Sequence, residues 1–517
     1  MTLQRTGAPK KDMPTEATPL VAGAASGEKE ARPSGEKEAR PWEIFLIIFP
    51  VILGYVIEFY DYGAYTMLTH ELEANLFPPN ISGGDDAIAN LRRSNAVWLV
   101  FTLGQVARPV GGALIGVLAD KFGRKPMVIA ATVGMWVGTL GIGLIPTARC
   151  CGETWGMVGY TLLCFLRMLQ GACAAGGVAI AYTYAVEVTA PRRAGFAICL
   201  ICLSGNVGHL SASAVSQLFE SLLDDPQMLD WGWRLPFLLS LPLGLTVTWL
   251  QSKLAETEVF RNVASERHAH AADRESSKKG PDAPAPLGGI FYRLLTSYRL
   301  EFMVAFLLST FTASMQYGTY SYLKDYLQTI DARGSAEGAC ITTFIYLMTV
   351  PTDLLAGFIA DSFGMLRSAL VWYVVAITLT LPAWVLLSTR ADLGTALIGA
   401  AMLAVVFTGR EFLIGVSLGL FPPEIRVTGF GLAYNLAQMI FGASAPLACN
   451  YIWSTLTDAT RDETSSPTDL GYPALVDAAP AIWVYQSLLL CAVGLLALVC
   501  ANQSGVLERV SHIRDER

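Results

Sequence analysis

Residues 116–125 read GVLADKFGRK, and residues 357–367 read GFIADSFGMLR. The two stretches share the spacing G-x-x-x-D-x-x-G, and each follows the second long apolar run of its half of the chain. Asp120 and Asp361 are therefore predicted at helix ends, where a carboxylate can accept hydrogen bonds from the N-terminal amides of a neighbouring helix. The glycines permit a tight turn. A motif repeated at equivalent positions indicates a chain built from two related halves.

We predict that the two motifs hold a gate between the halves in one of its states, through the bonds that the carboxylates make with helix ends and basic loop residues. The residues expected to form this gate are Gly116, Asp120, Gly123, Arg124, Gly357, Asp361, Gly364 and Arg367. Two repeated halves are typical of a transporter whose binding site lies between them.

The composition excludes a soluble globular protein. Of 517 residues, 53% are hydrophobic and only 15% are charged, whereas soluble domains average roughly 25% charged residues. The mean hydropathy is +0.44. Apolar runs of about 20 residues recur along the chain, and each is long enough to cross a bilayer as a helix. The lipid bilayer is therefore the expected surrounding of the protein.

Twelve apolar helices are predicted, which makes this an all-α membrane protein with two pseudo-symmetric six-helix bundles. The helices are expected near residues 43–68, 94–119, 126–146, 156–186, 194–222, 236–252, 299–328, 339–360, 369–388, 393–420, 427–453 and 480–501. The predicted domains are an N-terminal bundle at 42–252, a polar linker at 253–297 and a C-terminal bundle at 298–502, between tails at 1–41 and 503–517. The first tail contains the octapeptide SGEKEARP twice and is too polar to fold.

The charges of the short loops orient the chain. Basic residues such as Lys121, Arg192 and Arg367 fall on one side, and acids such as Asp85 and Asp224 fall on the other. Cytoplasmic loops carry the excess of Lys and Arg. With an even number of spans, we expect both termini and the linker in the cytoplasm, and the plasma membrane as the location of this multi-pass protein.

Five stretches of the chain resemble the major facilitator superfamily and, within it, the metabolite:proton symporter family. They are IEFYDY at 57–62, RPVGG at 108–112, RMLQG at 167–171, DWGWRLPF at 230–237 with Glu256-Thr257 after it, and FPPEIR at 421–426 with Gly429, Gly431 and Asn435. The resemblance implies the twelve-helix fold and alternating access. It also implies proton-coupled transport of a small organic solute, since the family includes carriers of proline and betaine, citrate, α-ketoglutarate and shikimate.

Charged side chains inside the apolar runs of the first half are candidates for solute binding or proton coupling, because each costs roughly 2.5–3.5 kcal/mol in a membrane helix. Glu58 and Asp61 are three residues apart and share a helix face, with Tyr65 close to it. Arg108 offers a planar fork to a solute carboxylate, or pairs with one of the two acids when the site is empty. The resemblance implies a part for Arg167 in proton coupling. For each residue the alternative is a purely structural bond between helices.

The seventh span supplies polar and aromatic candidates. The resemblance implies that this span lines the cavity, so Gln316, Tyr317 and Tyr320 are candidates for solute contact. Tyrosine rings hold quaternary ammonium groups by cation–π contact. Alternatively, such tyrosines form an aromatic belt at the outer membrane interface.

Three further charges lie where typical relatives have none: Asp353 in the eighth span, and Arg410 and Glu411 in the tenth. Adjacent residues point about 100° apart on a helix, so Arg410 and Glu411 need not pair with each other. Asp353 is the most isolated acid of the apolar runs and a second candidate for carrying a proton.

No enzyme is predicted. The stretch GVSLG at 415–419 fits the G-x-S-x-G nucleophile pattern but lies within an apolar run, where its glycines form a packing face instead. The chain has no H-E-x-x-H or P-loop pattern, and its cysteines lack metal-site spacing. We therefore expect no catalytic residues, no metal and no cofactor, transport driven by the proton gradient, no nucleic-acid partner and a monomeric protein.

These observations together predict a proton-coupled symporter that imports a small organic metabolite by alternating access. Residues of both signs in the spans favour a solute that bears a carboxylate, or a zwitterion. Two alternatives remain open at this point: a uniporter of the same fold that uses no proton, and a membrane sensor that binds a solute without moving it.

Overall fold

The computed structural model of the chain describes residues 40–76, 87–266, 287–317, 323, 335–388, 392–443, 492–499 and 501. All regular secondary structure in these ranges is helical. Residues 1–39 and 503–517 of the predicted tails, Tyr320, the end of the eleventh predicted span and residues 480–491 of the twelfth lie outside the described residues.

The described residues of the first half contain ten helices, α1 to α10. Their bounds are Pro41–Met67, Thr69–Leu76, Ala87–Phe122, Arg124–Leu144, Ala148–Cys151, Glu153–Val188, Ala194–Leu222, Asp225–Gln227, Arg234–Leu238 and Ser240–Ser252. A 3₁₀ turn at Pro191–Arg193 precedes α7, and a π turn at Met228–Gly232 precedes α9.

The second half continues with α11 to α17. Their bounds are Leu287–Ser297, Arg299–Ser314, Ser335–Phe363, Met365–Ser388, Leu393–Thr408, Arg410–Gly419 and Arg426–Ala437. A π turn at Gln438–Gly442 extends α17, and residues 492–499 are helical.

Nine helical segments of the described ranges are long and apolar enough to span a membrane, if Asp225–Ser252 and Leu393–Gly419 are each counted as one segment. A tenth is added if the bent pair Gly289–Ser297 and Arg299–Tyr317 forms one span. They coincide with ten of the twelve predicted spans. In a bilayer a helix bonds all its own backbone groups, which is why apolar runs of this length fold as helices.

Small residues allow close packing of α3 on α6. A Cβ added to Gly171 would overlap the carbonyl oxygen of Gly104, and one added to Gly111 would overlap the backbone of Ala172. Gly171 belongs to the RMLQG stretch and Gly111 to the RPVGG stretch, so close helix packing explains why both stretches contain glycine.

The halves contact each other through two equivalent helix pairs, α3 with α17 and α7 with α13. Asp120, near the end of α3, accepts hydrogen bonds from the Thr428 amide at 2.9 Å and the Val427 amide at 3.4 Å, in the first turn of α17. Asp361, near the end of α13, accepts from the Gly195 amide at 2.9 Å and the Phe196 amide at 3.3 Å, in the first turn of α7. The helix-end contacts of the two aspartates are those that the repeated motif predicts. We call the end of the molecule where they lie the motif end.

The motif positions require glycine for two different structural reasons. Gly123 and Gly364 have φ of +111° and +87°, so they form the tight turns that the sequence predicts. Gly116 and Gly357 instead allow the halves to approach, since an added Cβ would lie 2.9 Å from Thr428 Cα and 3.0 Å from Phe196 Cα, respectively.

The two basic residues of the motifs are not equivalent. Arg124 is buried and pairs with Glu187 at 3.0 Å and with Asp120 at 3.6 Å. The expectation that Arg367 plays the same part is wrong, because its side chain is exposed and forms no ion pair within the described ranges. Arg193 approaches Asp361 instead, at 4.0 Å. The physical reason lies in the spacing. Arg124 directly follows Gly123, whereas Met365 directly follows Gly364 and Arg367 comes two positions later.

Candidate functional site

A cavity lies between the two halves, at the middle of the long helices. Its polar and aromatic lining comes from Glu58, Phe59, Asp61, Tyr62, Phe101, Gln105, Arg108, Arg167, Gln170, Gln316, Tyr317, Tyr434 and Gln438. The first half contributes two acids and two arginines, which balance in formal charge. The second half contributes amide and aromatic side chains.

Asp61 is held by three donors in the wall of the cavity. The Arg167 guanidinium donates to Asp61 Oδ2 at 3.0 Å, and Thr139 and Gln170 each donate to Oδ1 at 2.8 Å. Asp61 is only 2% exposed. The RMLQG stretch thus places an arginine and a glutamine one turn apart on α6, both directed at one carboxylate.

Tyr65 does not line the cavity. Its ring is fully buried and lies beneath Arg167, with the guanidinium carbon 3.7 Å from the ring centroid. The guanidinium has two nitrogens, Nε and Nη2, that find no hydrogen-bond acceptor within the described ranges. The tyrosine of this helix face that lines the cavity is Tyr62, while Tyr65 orients Arg167 by cation–π contact.

Glu58 and Arg108 form a looser pair that faces the cavity. Arg108 Nη2 lies 3.8 Å from Glu58 Oε1, and Arg108 Nε donates to Asn435 Oδ1 of the second half at 3.1 Å. No side chain of the described residues donates a hydrogen bond to Glu58, because the Arg108 contact at 3.8 Å is too long for one. An arginine whose carboxylate partner lies at this distance retains donor capacity for a ligand.

Aromatic rings close the cavity between the halves. Tyr317 donates to Gln105 Oε1 at 3.2 Å across the halves, and its ring centroid lies 5.9 Å from that of Tyr62. A recess next to the cavity shares Phe59, Tyr62, Gln316 and Tyr434 with it. The recess is further lined by Tyr55, Tyr182, Asn206, His209, Tyr346 and Arg410.

Asp353 is not isolated, and this expectation from the sequence is wrong. Its carboxylate accepts from Asn206 at 3.2 Å and Thr408 at 3.1 Å, and Arg410 Nη2 lies 3.8 Å away. Glu411 accepts from the Cys199 thiol. Spans that are distant in sequence meet at this point, which a search along one apolar run could not detect.

Of the predicted candidates, six line the cavity: Glu58, Asp61, Arg108, Arg167, Gln316 and Tyr317. Arg410 lines the recess, whereas Asp353 and Glu411 are buried outside both spaces. Sequence reasoning overlooked Gln105, Thr139 and Gln438 as site residues. Gln105 lies three residues before Arg108 and so shares its helix face, which was an available signal. No group of three or more potential metal-binding side chains occurs in the part of the chain that the structure describes.

Comparison with known proteins agrees with this architecture. The family model described as Major Facilitator Superfamily matches residues 44–446. The chain is similar to the ectoine/proline transporter ProP of Corynebacterium glutamicum, with 29% identity over 409 residues that cover 78% of this chain and 77% of that protein. It is also similar to the proline/betaine transporter of Escherichia coli K12, with 27% identity over 397 residues that cover 77% and 75% of the two chains.

Solved structures share the fold. The proton:xylose symporter XylE bound to 6-bromo-6-deoxy-D-glucose has a TM-score of 0.67 at 14% identity, over 89% of this chain and 95% of that one. The human organic anion transporter MFSD10 has a TM-score of 0.56 at 17% identity, over 87% and 98%. At these identities the likeness concerns the fold alone, and it supports the predicted twelve-helix, two-bundle architecture.

Proposed function

The chain belongs to the Major Facilitator Superfamily and is a transporter of small solutes rather than an enzyme, and from that premise we propose that it is a proton-coupled symporter of a zwitterionic metabolite. The observation that carries the proposal is the division of the charged residues into two pairs. All four residues line the cavity, but Glu58 and Arg108 form a loose pair at 3.8 Å, whereas Asp61 and Arg167 are closely bonded at 3.0 Å.

Arg108 is the proposed partner of the solute carboxylate. Its guanidinium offers a planar fork, and Asn435 already fixes one of its edges at 3.1 Å. Glu58, 3.8 Å away, is then free to face a positive group of the solute. In such a zwitterion both charged groups lie one or two bonds from a common carbon. Its two charges are therefore close enough to face Arg108 and Glu58 together.

The aromatic lining suits a substituted ammonium group. Tyr62, Tyr317 and Tyr434 line the cavity together with Phe59 and Phe101, and ring faces attract cations that have few hydrogen-bond donors. The names of similar transporters include proline, betaine and ectoine, which are solutes of this class. We therefore propose proline or a betaine as the first solutes to test.

Asp61 is the proposed proton carrier. While Arg167 donates to it, the charged form of Asp61 is favoured, and separation of the two favours protonation. Movement of α6 relative to α1 during alternating access would thus couple proton binding to the state of the cavity. We propose the plasma membrane as the location and the cytoplasm as the side of the motif end, which leads to solute import.

Uptake in proteoliposomes tests the proposal. With labelled proline and glycine betaine as probes, we expect accumulation that requires an inwardly directed proton gradient and collapses when an ionophore dissipates it. Equilibration of the solute without accumulation, unaffected by the gradient, would indicate a uniporter. Binding of either probe without any uptake would indicate a sensor. Failure of both probes, with another metabolite accumulated from an unbiased mixture, would reject only the solute class.

A further inference from the structure

A second pair of acids lies outside the cavity, in the second half. Asp353 of α13 and Glu411 of α16 are buried, at 0% and 1% exposed, and lie beside the same arginine, since Arg410 precedes Glu411 in the chain and its Nη2 is 3.8 Å from Asp353 Oδ2. Neither side chain lines the cavity or its recess. The role proposed for Asp61 therefore does not involve these two groups.

The donors around the pair do not account for all of its oxygens. Asn206 and Thr408 donate to Asp353, and the Cys199 thiol donates to Glu411 Oε2. Glu411 Oε1 receives no hydrogen bond from a donor among the described residues. An ionised carboxylate only accepts hydrogen bonds, so Glu411 Oε1 and the nearby Asp353 carboxylate can satisfy each other only when one of the two groups is protonated.

The charge balance leads to the same result. Arg410, whose Nη2 lies 3.8 Å from Asp353 Oδ2, offsets one carboxylate charge. Among the described residues, the other titratable side chains that face the pair or Arg410 include no second guanidinium or ammonium; they are Cys199, Cys202, Tyr182, His209, Tyr346 and Tyr434. A second carboxylate charge would remain buried and unbalanced, which is energetically unfavourable. Two carboxyl groups that share a site commonly hold one proton for this reason.

We propose that Asp353 and Glu411 share one bound proton and form a second proton-binding site, separate from the cavity. The site is built from both halves, because α7 of the first half closes it through Cys199 and Asn206. It requires neither a zwitterionic solute nor a proton on Asp61.

The second proton site is linked to the motif end through one face of α7. Gly195, whose amide binds Asp361, lies one helical turn before Cys199, which is about 6 Å along the axis. Asn206 lies two turns further along the same face. Separation of the halves at the motif end would withdraw Cys199 from Glu411 and admit water to the pair. The proton should therefore exchange with water in states that are open at this end.

Infrared spectroscopy of the purified full-length protein in lipid nanodiscs tests the proposal without any solute. We expect the wild type to show a protonated carboxyl C=O band at neutral pH. The band should disappear in Glu411→Gln and in Asp353→Asn, because Arg410 can balance the one carboxylate that remains. It should persist in Glu58→Gln and Asp61→Asn, the matched controls in the first half. Each variant is first checked for cooperative thermal unfolding.

Absence of the band in the wild type overturns the proposal, whatever happens to the variants. So does a band that persists in a folded Glu411→Gln or Asp353→Asn protein, or one that disappears only in Asp61→Asn. The link to the motif end has its own test, since Asp361→Asn should accelerate the shift of the band in D₂O, and Asp230→Asn on the exposed surface should not. An equal rate in the two variants rejects that link.

Discussion

At the scale of single residues, the site separates two acids that the sequence presents as equivalent. Glu58 and Asp61 share a face of α1, yet Asp61 has three donors within 3.0 Å, whereas Glu58 has one arginine at 3.8 Å. A closely bonded acid responds to the movement of its partner, and a loosely paired one is available to a ligand. This difference underlies the roles proposed for the two residues.

Asp61→Asn is expected to abolish accumulation driven by the proton gradient while solute exchange across the membrane continues. Asparagine keeps the size and part of the bonding to Thr139 and Gln170 but cannot bind and release a proton. Uptake and counterflow in proteoliposomes, measured side by side, separate the two activities. Accumulation at the wild-type level in this variant would remove Asp61 from the coupling mechanism.

Arg108→Lys is expected to raise the KM for uptake. A lysine keeps the charge but loses the planar fork, and a hydrogen bond to a charged group contributes about 1.5–3 kcal/mol, which corresponds to roughly 10- to 100-fold in affinity. Concentration-dependent initial rates measure the change. Arg149→Lys is the matched control, because Arg149 is exposed and pairs with Asp230 on the surface. Equal KM values for the two variants would contradict a role for Arg108 in carboxylate binding.

At the scale of helices, glycines decide how closely the elements pack. Gly171 on α6 lies directly against the carbonyl oxygen of Gly104 on α3, whereas a Cβ added to Gly177 on the same helix would find its nearest neighbour at 3.5 Å. The two positions therefore differ in the room they offer, although both are glycines in one apolar helix.

Gly171→Ala is expected to destabilise the protein by about 1–3 kcal/mol, the usual cost of forcing an extra carbon into a packed interface. Gly177→Ala should have little effect, since its added methyl group makes ordinary van der Waals contact. Thermal unfolding of both variants in the same detergent provides the comparison. An unchanged unfolding temperature for Gly171→Ala would show that α3 and α6 can move apart at little cost.

At the scale of the whole molecule, two carboxylates bind helix ends across the two halves. Asp120 caps α17 and Asp361 caps α7, and each aspartate belongs to the half opposite the helix that it caps. Because these elements contact each other across the halves, the aspartates stabilise the state that is closed at the motif end.

The double variant Asp120→Asn, Asp361→Asn is expected to open the motif end more often. Bonds from amides to a charged acceptor contribute about 1.5–3 kcal/mol each, so exchange of the Gly195 and Thr428 amides should accelerate by at least about 10-fold. Hydrogen exchange followed by mass spectrometry measures both helix ends in one experiment. Asp230→Asn should leave both rates unchanged, and equal rates in the two proteins would exclude a gating role for the aspartates.

The sequence alone determined the helical membrane fold, the repeated halves and six of the cavity residues. Apolar runs of spanning length, and charges that are costly within them, are local properties that can be read along the chain. It also predicted that the motif aspartates bind neighbouring helix ends.

Only the tertiary structure decided which side chains the charged residues pair with. It separated the Asp61–Arg167 pair from the Glu58–Arg108 pair, moved Tyr65 behind the wall, displaced Arg367 from its expected place and brought Asp353 next to Glu411. The physical reason is that a buried charge is balanced by groups from other helices, and their distance along the chain carries no information about their distance in space.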